Sequence, residues 1–323
     1  MNETRPPRTM LRRTMLRRTL LRRIGAGFVC LVVAIVCLGT YMMRHIEGQS
    51  VGSVPKTVTS RDGTVIAYEQ TGAGPVVILV SAALADRGGT TRLANHLAQR
   101  FTVINYDRRG RGKSTDTQPY AVQHEVEDIA ALIDASGGSA FVFGSSSGSV
   151  LALDAASRLG GKIRKLFLYE PPFIVDDSRP PLAPDLAERI TELVSAGRRN
   201  EAVTLFFGKG MGIPNFAVTL MRLVMPGWSK MAGMAHTIPY DLAILAGTQA
   251  GQPLPAQRWS SATAPTLVMV GSRSEPFFHN GAKALAETLA DARYGCLEGR
   301  DHSVVLLASQ AMATEVTKFF LAR

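Results

Sequence analysis

A chain of 323 residues, 46% of them apolar, carries enough hydrophobic material for a sizeable core, which excludes disorder as the state of the whole. The net charge of +10 invites a nucleic-acid partner, but eight arginines and one glutamate among residues 1–23 hold +7 of it. The rest of the chain is ordinary in charge, so nucleic-acid binding is set aside.

Behind that arginine-rich tail, Ile24 to Met43 is a run of twenty residues without a charge, which at about 1.5 Å per residue matches a hydrocarbon core of about 30 Å. The expectation is a single transmembrane signal anchor over 24–43 with residues 1–23 in the cytoplasm. Little basic charge apart from Arg44 follows the run, so the remaining domain faces away from the cytoplasm by the positive-inside rule. The alternative is a signal peptide that is cleaved and a domain that is secreted. Cys30 and Cys37 lie inside the apolar run and Cys296 stands by itself beyond it, so no disulfide framework is available to the globular part.

Residues 44–55 hold Gly, Ser and Pro without periodicity and read as a linker. Two β-rich runs, Thr57 to Ser60 and Thr64 to Glu69, flank the turn Arg61-Asp62-Gly63 and predict a hairpin. Short apolar runs then end at Val80, Tyr106, Phe143, Tyr169, Val270 and Leu297, with helical patterns between most of them. Strands buried on both faces of a mostly parallel sheet have this appearance, with helices as crossovers on both faces. The alternation stops between Pro171 and Ala264, a stretch of helical segments, proline breaks and many methionines. This insertion, 171–264, is expected to form a helical lid over the carboxyl ends of the strands, with a core assembled from 56–170 and 265–323. Most of its apolar residues, Phe206, Phe207, Trp228 and Met211 among them, are expected to pack the lid, with some facing a pocket; His236, Tyr240 and Asp241 are candidate substrate contacts.

The most informative segment follows the run ending at Phe143. Gly144-Ser145-Ser146-Ser147-Gly148 is G-x-S-x-G, and Ser149 to Leu159 reads as a helix. A serine on so sharp a strand-to-helix turn needs glycines two residues away, because side chains there would strike the strand and helix. The first turn of the new helix also aims backbone N–H groups at charge developing near Ser146.

With this segment, Tyr106-Asp107-Arg108-Arg109-Gly110-Arg111-Gly112-Lys113-Ser114 and Gly299-Arg300-Asp301-His302, the chain over residues 57–323 resembles the α/β-hydrolase superfamily, and phrases such as LYEPPF resemble its bacterial members. The resemblance implies the α/β-hydrolase fold, with Ser146 as nucleophile and His302 as general base just after the last strand. It implies a structural rather than catalytic role for Asp107. Relatives often carry His-Gly after the strand that here ends at Val80, where this chain has Ser81-Ala82-Ala83-Leu84; the backbone N–H groups of Ala83 and Ser147 are the expected oxyanion donors. Most relatives carry the acid as G-x-x-D, but Gly271-Ser272-Arg273-Ser274 puts serine at that place, with Glu275 one step later. Glu170, just after the strand ending at Tyr169, is the favoured acid, since haloalkane dehalogenases and some epoxide hydrolases of the superfamily use a glutamate after that strand; Glu275 is the alternative.

The reading is a serine hydrolase that cleaves a small or medium apolar carboxylic ester through an acyl-enzyme, with no cofactor or metal. Two alternatives stay open: a catalytically silent, membrane-tethered binding protein on the same fold, and a cofactor-free perhydrolase or carbon–carbon bond hydrolase.

Overall fold

The computed structural model describes residues 51–225 and 227–322. The arginine-rich tail and the expected span 24–43 lie outside them. Among the described residues no helix is long and apolar enough to cross a membrane.

The hairpin forms around the expected turn. Strands β1 (Val54–Thr59) and β2 (Val65–Thr71) pair antiparallel, with Ser60 N–H donating to Thr64 O at 2.8 Å and Gly63 at φ 86°. The linker therefore ends two residues earlier than expected. Val54, Pro55 and Lys56 form the exposed edge of the sheet, where a proline costs no ladder bond and no apolar pattern betrays a strand.

Six further strands complete the sheet: β3 (Val76–Val80), β4 (Thr102–Tyr106), β5 (Ala140–Ser145), β6 (Ile163–Tyr169), β7 (Thr266–Gly271) and β8 (Ala292–Leu297). Their order is β1-β2-β4-β3-β5-β6-β7-β8, parallel from β4 to β8. Alternation along each strand divides the core in two. Ile78, Val80, Val142, Leu168 and Val268 point into one layer, beneath the helices α2 (Val122–Asp134) and α3 (Ser147–Leu159). Val77, Leu79, Phe143, Phe167 and Met269 point into the other, with α1 (Thr91–Leu97) and, near the C-terminus, Ser309–Leu321. Chain direction across the sheet reverses at β3, which lies between β4 and β5; the crevice at the carboxyl ends of such strands is where ligands bind in open α/β sheets.

The insertion between β6 and β7 carries the helices α4 (Leu186–Ser195), α5 (Arg199–Leu205), α6 (Asn215–Val224), α7 (Trp228–Gly233) and α8 (Ile238–Ile244). They share a third apolar cluster, in which Ile190, Val203, Phe206, Trp228 and Ile238 pack together with Leu84 of the core. This cap thus rests on the loop that follows β3. The helix α9 (Pro276–Thr288), the short α10 (Val304–Leu307) and α11 (Ser309–Leu321) complete the chain.

Candidate active site

The turn after β5 has the geometry its glycines imply. Ser146 sits at φ 54°, ψ −128°, outside the regions where most residues rest, and its N–H donates to Tyr169 O at 2.9 Å. A Cβ on Gly144 would lie 2.5 Å from Gly148 O, and one on Gly148 would lie 2.5 Å from Ser81 O. Both positions are closed to any side chain. Ser147 opens α3, so its N–H has no intrahelical acceptor and is available to a ligand.

Glu170 is the residue immediately after β6, fully buried and at φ 49°. Its Oε1 accepts from Gly271 N–H at 2.8 Å and from Ser274 Oγ at 2.5 Å, while Oε2 meets His302 Nδ1 at 2.6 Å. The imidazole also stacks on Phe278, with ring centroids 4.9 Å apart and planes 21° apart. Among the described residues only Leu84, Ser146 and Glu170 are non-glycines at positive φ, and all three border this one site. Strain of this kind costs of order 1–3 kcal/mol per residue and persists where surrounding structure enforces it.

Glu275 stands apart. Its side chain is 69% exposed and its nearest cationic partner, Arg179 Nη1, is 3.9 Å away. The loop that holds it supports the histidine loop instead: Ser272 Oγ accepts from Gly299 N–H at 2.8 Å, Arg273 N–H donates to Arg300 O at 2.8 Å, and a Cβ on Gly271 would strike Arg300 O at 2.4 Å.

Ser146, Ser147, Ala83 and His302 line one cavity of about 550 Å³, walled largely by apolar side chains of the core and cap. That volume suits a small or medium ligand. Of the three cap residues named as candidate substrate contacts, Asp241 lines the cavity, and of the apolar cap residues Met211, Met231, Phe206 and Phe207 line it too. Tyr240 does not. Its ring stacks on Tyr120 at 3.8 Å and its hydroxyl donates to Asp116 at 2.8 Å. His236 lies against Gly110, away from the cavity.

Behind the cavity is a buried ionic network that sequence inspection missed. The variable positions of the loop after β4 hold Arg108 and Arg111, which are 0% and 1% exposed. Arg108 pairs with Glu125 through Nε at 2.7 Å and Nη2 at 2.8 Å, and with Asp241 through Nη1 at 2.8 Å. Arg111 reaches Asp241 at 2.6 Å and donates to Ala82 O at 2.7 Å. Asp241 also accepts from Ser147 Oγ at 2.8 Å. One cap carboxylate therefore joins the two arginines to the residue after Ser146, and an arginine grips the Ser81–Leu84 loop where relatives have His-Gly. Burial works to raise the Asp241 pKa, but Arg111 and Arg108 outweigh it and hold the carboxyl below its usual range. The only forewarning was two arginines close together beside an apolar strand, which in a folded core demand carboxylates. Asp107 has the structural role expected of it: its carboxylate accepts from Arg87 N–H and Lys113 N–H, each at 2.9 Å. Among the described residues no group of three or more His, Cys, Asp or Glu could hold a metal ion.

A strand-turn-helix serine and a histidine after the last strand, both facing a cavity under a cap inserted between β6 and β7, define a hydrolase-type α/β architecture. A sequence profile of the alpha/beta hydrolase family matches residues 77–315, and the chain belongs to that family. An alpha/beta hydrolase from Sphaerobacter thermophilus DSM 20745 is 48% identical, with a TM-score of 0.75 over 82% of this chain and 100% of that chain. The uncharacterized hydrolase YraK of Bacillus subtilis (strain 168) is 35% identical over 113 residues, 34% of this chain and 42% of that protein, so the match spans less than half of the relative. An esterase from Thermogutta terrifontis, at 21% identity and a TM-score of 0.61 over 84% of this chain and 98% of that one, shares the fold.

Proposed function

We propose that the protein is a serine hydrolase that cleaves a carboxylic ester with a largely apolar body through an acyl-enzyme. The observation that carries this reading is the Glu170 carboxylate 2.6 Å from His302 Nδ1, beside a cavity that His302 shares with the strained Ser146. Bound to that carboxylate, Nδ1 keeps its proton and Nε2 is left as the base. In acylation, the Ser146 Oγ proton passes to His302 Nε2 as Oγ bonds to the ester carbon. The Ala83 and Ser147 N–H groups receive the oxyanion. Collapse breaks the C–O bond, and the alcohol leaves with the proton from Nε2. A water then gives its proton to Nε2 and its oxygen to the acyl carbon; return of the proton to Oγ releases the acid.

The Glu170 contact to His302 supports the hydrolase over the silent binding protein, although the Ser81–Leu84 loop still lacks the His-Gly of relatives. The arginine-flanked run 24–43 supports a second element of the reading, a membrane tether with the hydrolase domain on the side away from the cytoplasm.

The deciding experiment treats the full-length protein with a fluorophosphonate probe and with p-nitrophenyl butyrate. Labelling and turnover are expected in the parent and absent in Ser146→Ala. A folded parent that neither labels nor turns over the ester would sink the reading in favour of the binding protein.

A further inference from the structure

The cavity beside Ser146 is apolar over most of its wall, yet one cation from the first stretch of the insertion is sunk into it. The Arg179 side chain is 15% exposed, with its guanidinium 4.6 Å above the ring of Phe277, and both residues line the cavity. Its polar satisfaction is thin. A guanidinium offers five N–H donors. Here Nη2 donates to Gly210 O at 2.9 Å, and the nearest carboxylate, Glu275, is 3.9 Å away and mostly in solvent, where it neutralises little. The contrast with Arg108 is direct: that arginine, buried behind the cavity rather than lining it, is matched by two buried carboxylates at 2.7 to 2.8 Å. Desolvation accordingly pushes the Arg179 pKa below the usual arginine value, with Glu275 offsetting only part.

We propose that Arg179 forms a subsite for a carboxylate, so that the substrate is an ester with an apolar body and one ionised carboxyl group at its far end. This inference deepens the ester-hydrolase reading and rests on it. A monoanion fits better than a dianion such as a phosphate monoester, because the one part-buried guanidinium at the cavity wall already faces Glu275 and the other lining arginine, Arg273, is exposed to solvent. The planar fork matches a carboxylate in a bidentate pair, and stacking on Phe277 fixes its plane in advance. Arg273 lines the same cavity but is exposed, with Asp301 near it, so Arg179 is the cation with the most to gain from a ligand.

The test compares monoethyl with diethyl esters of the straight-chain dicarboxylic acids from succinate to azelate, using full-length protein. At one chain length, the parent should show a kcat/KM for the monoester anion at least tenfold above that for the diester, a scale set by charge-assisted hydrogen bonds. In Arg179→Met that ratio should fall roughly tenfold or more, chiefly through KM, and Arg179→Lys should recover part of it. A parent that favours the diester at every length overturns the subsite. So does an Arg179→Met variant that loses both esters in equal proportion, which is the signature of a cap staple. Fluorophosphonate labelling of Ser146 in the same samples separates the two levels: labelling without monoester preference removes the subsite and spares the hydrolase. Calorimetric binding of the monoester to Ser146→Ala, with and without Arg179→Met, reads the subsite independently of turnover, and equal affinities would overturn it.

Discussion

Replacing Glu170 by glutamine changes one atom in a place where every hydrogen bond is already assigned. Oε1 accepts two bonds, from Gly271 N–H and Ser274 Oγ, so the new amide must turn its carbonyl there or set a donor against the fixed Gly271 N–H. With the carbonyl so placed, the NH2 group faces His302 Nδ1. That nitrogen must then be the unprotonated one, and the proton moves to Nε2, where it blocks removal of the Ser146 proton. The stack on Phe278 keeps the ring in position, so the loss reports the tautomer rather than a displaced side chain. A wrong-tautomer imidazole costs about 10⁴ in turnover in serine proteases, and the same order is expected here, about 5.4 kcal/mol at 1.36 kcal/mol per decade. The assay is kcat for p-nitrophenyl butyrate, with thermal melting to verify folding. Glu275→Gln, altering a side chain that is 69% exposed, should stay within a few-fold of the parent. Retention of activity by Glu170→Gln and its loss in Glu275→Gln would refute this assignment and move the acid to Glu275.

Three other outcomes are expected. Asp241→Asn leaves Arg108 and Arg111 without a shared counter-charge; breaking a buried pair costs about 3–5 kcal/mol, so the melting midpoint should fall on the order of 10 °C at pH 7, and an unchanged midpoint would remove the network's structural importance. Because the folded protein holds Asp241 below its ordinary pKa, the unfolded chain binds its proton first; the contribution is full above roughly pH 4 and fades below, so the gap between parent and variant should narrow in acid. Gly148→Ala drives a Cβ to 2.5 Å from Ser81 O and should cost roughly 1–3 kcal/mol or more, whereas Gly161→Ala, with nothing within 4 Å, should be close to neutral by denaturant titration. Protease added to intact spheroplasts should digest the domain beyond Gln49; full protection of that domain would contradict the proposed topology.

The five buried strands β3 to β7 were legible because each is a largely apolar run of five to seven residues bounded by turn-forming residues, a pattern that survives without tertiary context. Val54 to Lys56 was not, since an exposed edge strand with a proline has no hydrophobic face to advertise. That Ser146, Glu170 and His302 stand beyond the carboxyl ends of strands was legible, because each follows a run that reads as a strand. Arg179 and the Arg108–Asp241–Arg111 network were not, because the partners lie up to 133 residues apart in the chain and meet only when the cap closes on the core. Tyr240 and His236 misled for the same reason: proximity to Asp241 in sequence says nothing about which side chains of the short helix α8, or of the turn Ala235–Thr237 before it, meet the cavity.

The carboxylate beside His302 is delivered from the end of β6, one peptide bond before the cap begins. Seen as raw material for evolutionary change, this arrangement redistributes constraint. The loop after β7 keeps Ser274 tied to Glu170, but the side chains of Arg273 and Glu275, both exposed and both at the cavity wall, can drift without touching the Glu170–His302 contact. Selection for a new substrate therefore has a free site at the carboxyl edge of the sheet. Lengthening or shortening the chain at Pro171 is the opposite case, since it would pull directly on the residue that holds the imidazole.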